Sequence, residues 1–115
     1  MKLSPIIAAM CCTAALAVSG CATAPRFEWG NYDQELYAYS KRPERGPQFE
    51  AALVKAIAQG RKTNRLAPGL QAELGYLYLA DGKSDAAIVQ FEAEMRDFPE
   101  SRSFLTKIVA EGARK

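Results

Sequence analysis

The chain has 115 residues, 49% of them hydrophobic, with 15 Lys and Arg against 13 Asp and Glu. That suffices for one small domain, and a net charge of +2 excludes a nucleic-acid binder recognised by charge. The apolar content excludes an acidic disordered chain. The absence of histidine removes the commonest general base, metal ligand and pH switch.

Residues 1–20 read as a cleaved signal peptide. Lys2 supplies a thin positive start, and the uncharged run Ile6–Val18 follows. That run is shorter than the roughly 20 residues a bilayer-spanning helix needs. It ends in Leu16-Ala17-Val18-Ser19-Gly20-Cys21, which resembles the bacterial lipobox. Small Ser19 and Gly20 leave room for lipid and peptidase, and the Cys21 sulfur is the nucleophile that takes a diacylglyceryl group. Ala22-Thr23-Ala24 offers an ordinary cleavage site as the alternative. Cys11 and Cys12 leave with the signal, so the mature chain is expected to hold no disulfide and no Cys metal site. Each acyl methylene contributes about 0.8 kcal/mol to membrane partitioning, so two or three chains, palmitate among them, anchor the protein firmly. Cys21 is followed by Ala22, not by the aspartate that the lipobox resemblance would tie to the inner membrane. The expected place is therefore the outer membrane, facing the periplasm. Residues 21–28 are then lipidated cysteine and tether, and residues 29–115 the folded domain.

Asn31 and Gln34 match a capping box for a first helix, which carries Leu36, Tyr37 and Tyr39 and stops before Pro43. Pro47 suits the first turn of a second helix, whose apolar face is Phe49, Leu53, Val54, Ala56 and Ile57. Gly60 is its expected left-handed stop, before a polar, basic loop from Arg61 to Ala67. Pro68 opens a third helix bearing Leu70, Leu74, Leu77 and Tyr78, ended by Asp81-Gly82. Ser84 caps a fourth with Ala87, Ile88, Phe91 and Met95, closed by Phe98-Pro99. A fifth runs from about Ser101 to Gly112 and carries Phe104, Leu105, Ile108 and Val109. No stretch alternates with period two for long enough to make a strand, so the expected class is all-α.

Leu74-Gly75-x-x-Tyr78, Ala87-x-x-x-Phe91 and Pro99 resemble the tetratricopeptide pattern, with Gln71 in its tryptophan position. Gly75 and Ala87 are small where two helices would cross, and Tyr78 and Phe91 would fill the space between them. Residues 31–60 read as a degenerate earlier hairpin, and the fifth helix as the terminal cover that repeat arrays need. Trp29-Gly30-x-Tyr32, Leu36-Tyr37, the stretch from Pro68 to Leu79, and Phe98-Pro99-Glu100-Ser101 resemble a family of small lipoproteins known only as domain of unknown function 4810. The resemblance implies an outer-membrane lipoprotein with no assigned activity. It also implies company, since genes of the family tend to lie beside a lipoprotein resembling the curli secretion channel and another small lipoprotein.

Catalytic options are few. Asp81 and Asp85 flank a solvated turn, Ser84 has no base near it in sequence, and Glu92 and Glu94 are two apart and face different ways on a helix. There is no phosphate loop, dinucleotide turn or metal-ligand spacing. The expectation is a non-enzyme with no cofactor, no metal, no nucleic acid and no small-molecule substrate. Arg61, Lys62 and Arg65 read as a solvated basic loop or as a contact for lipid phosphates. Trp29, Tyr32, Tyr37 and Tyr39 read as core of the first hairpin or as an interface. At about 100° per residue, Leu74, Gly75 and Tyr78 turn toward the fourth helix, while Gly69, Ala72, Tyr76, Leu79 and Ala80 point away from it. Tyr76, Leu79 and Gln71 are the candidate partner-binding residues of a non-catalytic helical-repeat adaptor for another envelope protein. The alternative is a structural envelope lipoprotein without a ligand groove.

Overall fold

Proline and short polar turns cut the chain into five α-helices across residues 23–112, the part that this computed structural model describes. They are α1 Tyr32–Lys41, α2 Gly46–Thr63, α3 Leu70–Ala80, α4 Ser84–Asp97 and α5 Arg102–Gly112. Single 3-10 turns, Pro43–Arg45 and Pro99–Ser101, lead into α2 and α5. The signal peptide, the lipobox and Cys21 lie outside the described residues. Extended pairing among the described residues is one isolated bridge between Glu28 and Leu66. The described residues are all-α, with five helices where five were expected.

Two boundaries differ from the sequence reading. α2 runs through Gly60 to Thr63, and Asn64 takes the left-handed cap with φ 56°. Gly60 answers to packing instead, because a Cβ there would lie 2.7 Å from the Leu66 Cα. α3 begins at Leu70 and not at Pro68, since Gly69 holds φ 93°, outside any helix. The expected side-chain caps are also absent. Asn31 precedes α1 without a capping bond, and Ser84 is the first residue of α4, where Lys83 holds the cap position.

Among the described residues helix backbones approach closely only between neighbours along the chain, α1 with α2, α2 with α3, α3 with α4 and α4 with α5. Stacking of this kind buries one hairpin with the next. One core cluster joins Phe49, Leu53, Ala56 and Ile57 of α2 to Leu70, Leu74 and Leu77 of α3, with Tyr32, Leu36 and Tyr39 of α1 against it. A second joins Ala87 and Phe91 of α4 to Leu105 of α5, with Ala72 and Leu79 of α3 against it. Helix α3 serves both clusters, so it is apolar nearly all round, as a helix buried on two sides must be. Tyr78 touches both.

This settles which way α3 turns. Gly75 faces α4, where a Cβ would meet the Phe91 ring at 2.5 to 2.9 Å. Leu74, expected toward α4, packs with α2 instead. Ala72 and Leu79, expected to face away from α4, lie on its cluster. A helix packed on two sides has fewer free directions than a single hairpin, and the hairpin was the unit used to assign them.

Candidate functional site

The three residues singled out from the sequence do not share one surface. Gln71 is 1% exposed and belongs to no open face. Its Oε1 accepts a bond from Arg61 Nη2 at 2.6 Å, and its Nε2 donates to Asp97 Oδ2 at 3.1 Å. Arg61 also donates to Asp97 Oδ2 at 2.9 Å. One polar triad thus ties α2, α3 and α4 together. Burial works against ionisation of Asp97, but its bonds to Gln71 and Arg61 outweigh that and hold its carboxyl below the usual range. Gln71 is a structural residue, and its assignment as a partner contact is corrected.

Beside the triad, Glu94 is 3% exposed. Its Oε1 accepts the Gly69 N–H at 2.6 Å, so a carboxylate of α4 closes the N-terminus of α3 where free N–H groups and the helix dipole favour negative charge. Burial still dominates and pushes the Glu94 carboxyl above its usual range, with bonds from the Gly69 and Ala72 backbone opposing it. Glu92 is exposed, as the two-residue spacing implied.

Of the basic cluster, Lys62 is exposed and the two arginines are not free. Arg61 is bound in the triad, and Arg65 pairs with Glu28 and donates to the Pro25 carbonyl at 3.2 Å. The Glu28 N–H donates to the Arg65 carbonyl at 2.8 Å. The expected tether to residue 28 is therefore pinned from Pro25 onward. Four residue steps separate Pro25 from Cys21, a reach of about 14 Å at most. The aromatic group divides: Tyr32 and Tyr39 pack on Phe49 with ring centroids 5.9 and 5.2 Å away, while Tyr37 is 67% exposed.

Tyr76 is the residue of the three that faces outward. It is 37% exposed and sets its ring against Phe91 at 5.2 Å, at a steep angle. It stands between two depressions. On one side Tyr76 and Leu79 of α3 meet Ile108 and Glu111 of α5 in a groove of about 370 Å³. On the other, Tyr76, Glu73 and Leu77 meet Tyr39 of α1 and Phe49 of α2 in a notch of about 100 Å³. Leu79 is half-buried and forms the floor of the first. Glu73 was not foreseen. It is half-buried, and burial raises its carboxyl above the usual range. Tyr76 and Tyr32 are raised as well, by burial first and by the Glu73 charge second. Among the described residues there is no group of carboxylates, cysteines or histidines able to hold a metal ion.

An all-helical domain of stacked hairpins with an open face on α3 is the class that this geometry defines. The chain belongs to the family described as Domain of unknown function (DUF4810), whose model matches residues 27–108. No curated protein and no solved structure matches it.

Proposed function

We propose that the protein is an outer-membrane lipoprotein, anchored through Cys21 and facing the periplasm, whose tetratricopeptide-like hairpins act as a non-catalytic adaptor for another envelope protein. A system built on a curli-channel-like lipoprotein is the proposed setting. The observation that carries this reading is Tyr76, an exposed aromatic standing between two depressions on the central helix. Aromatic anchors of this kind dominate binding energy at interfaces. The short span between Cys21 and the pinned Pro25 supports a domain held close to its membrane.

Tyr76→Ala in the lipidated chain should reduce recovery of a co-purifying lipoprotein while leaving helicity intact. Unchanged recovery would remove the adaptor reading. Cys21→Ala should abolish labelling by a fatty-acid analogue, and normal processing of that variant would remove the anchor. The second reading, a structural envelope lipoprotein without a ligand groove, draws on the edge contact of Tyr76 with buried Phe91. It predicts that Tyr76→Ala lowers the melting temperature with no selective loss of a partner.

A further inference from the structure

Among the described residues Glu73 is a carboxylate without a counter-ion. Four other half-buried or buried acids each have a partner: Glu35 pairs with Arg45, Glu28 with Arg65 and Asp97 with Arg61, and one oxygen of Glu94 accepts the Gly69 N–H. Glu73 forms no hydrogen bond or ion pair through its side chain among the described residues. Yet it sits in a notch walled by Tyr39, Phe49 and Tyr76. Desolvating an unpaired carboxylate is unfavourable, and nothing in the fold compensates for it.

The chemistry of the notch selects its occupant. Aromatic rings beside a carboxylate attract a cation through ring faces and charge together. A hard metal ion needs six or more oxygen ligands, and one carboxylate among aromatic rings cannot supply them. A volume of about 100 Å³ has room for a few water molecules, and so for the end of one side chain. The neighbouring groove adds Glu111, and among the described residues no Lys or Arg lines either depression. The open face around Tyr76 is thus acidic and aromatic, which complements a basic surface.

We infer that the notch between α1 and α3 is a socket for one lysine or arginine side chain of the partner protein, with Glu73 as counter-ion and Tyr39 and Tyr76 as walls. The inference rests on the adaptor reading and names the chemistry of that partner's contact.

The test uses the full lipidated chain in detergent, titrated with Nα-acetyl-lysine methylamide and Nα-acetyl-arginine methylamide, with the norleucine analogue as a neutral match. Ring signals of Tyr39 and Tyr76 should shift saturably with one or both cations and not with norleucine. Glu73→Gln should weaken that binding by about tenfold or more, the loss of a charged partner at about 1.4 kcal/mol per tenfold, and its melting temperature should be equal or higher. Absence of a saturable shift, or equal binding by Glu73→Gln, overturns the socket. Co-purification separates the two readings. If Tyr76→Ala loses the partner while Glu73→Gln keeps it, the socket fails and the adaptor stands. If neither variant loses a partner, both fail.

Discussion

Gly75→Ala tests how closely α3 and α4 cross. A Cβ at this position would lie 2.5, 2.8 and 2.9 Å from three atoms of the Phe91 ring, where carbon atoms normally rest at about 3.5–4.0 Å. The ring would have to retreat by about 1 Å. It has little room to do so, because Phe91 is 1% exposed and is clustered with Ala87 and Leu105. Overpacking of this kind costs about 1–3 kcal/mol. Alanine recovers about 1 kcal/mol of helix propensity over glycine, so the net loss should be about 0–2 kcal/mol. For a domain of this size each kcal/mol moves the melting temperature by about 4–8 °C. Thermal melts followed by circular dichroism would read it. Phe91→Leu removes the ring atoms concerned, so in that background Gly75→Ala should be neutral or stabilising, with a coupling energy of about 0.5–3 kcal/mol. A higher melting temperature for Gly75→Ala alone, or no coupling with Phe91→Leu, would refute the close crossing.

Gln71→Ala should cost about 1–3 kcal/mol by losing the two hydrogen bonds that the buried amide makes to the charged Arg61 and Asp97, measured by urea unfolding. Glu94→Ala should cost about 1–2 kcal/mol, the scale of a lost helix cap, and should speed hydrogen exchange at Gly69 and Ala72. Asp97 has a lowered carboxyl pKa, so its contribution is present above the unfolded value and is lost as pH falls through the folded one. Asp97→Asn should therefore be less stable than the parent near neutrality and converge with it in strong acid, as melts across pH would read. Glu73 has a raised one, so its relative stabilisation exists at low pH and is lost as pH rises through the folded value. Glu73→Gln should accordingly gain on the parent from mild acid toward neutrality, and a pH-independent difference in melting temperature would count against that.

The helices were legible because their stops are local. Pro43, Asp81-Gly82 and Pro99 end or redirect the chain through their own backbone chemistry, and the structure puts its boundaries there. Gly60 misled for the opposite reason. It reads as a helix stop, but the backbone that needs it small belongs to Leu66 across a turn, and a close approach of that kind leaves no periodic signal. The polar triad was hidden in the same way. Gln71 departs from the repeat pattern, and that departure was the available clue. Its partners Arg61 and Asp97 come from two other helices, at separations of 10 and 26 residues. Glu94 gave half a signal, since its spacing from Glu92 implied a different face but not what that face would meet.

The open face follows from how few hairpins there are. In a stack where backbones approach closely only between chain neighbours, α1, α3 and α5 meet through side chains alone, and the space between their backbones stays open on one side. On that side the central helix presents Glu73 and Tyr76, one turn apart, where either could instead have been an ordinary solvated residue. The fold supplies cations freely elsewhere: Arg45, Arg61 and Arg65 each meet a carboxylate. Among the described residues it supplies none to Glu73 and none to the grooves beside it. A half-buried charge without a partner lowers the stability of the free domain, while the same charge would strengthen contact with a basic surface. The fold itself gains nothing from that arrangement, which is why α3's open face, and not the buried triad at Gln71, is the place to look for a partner.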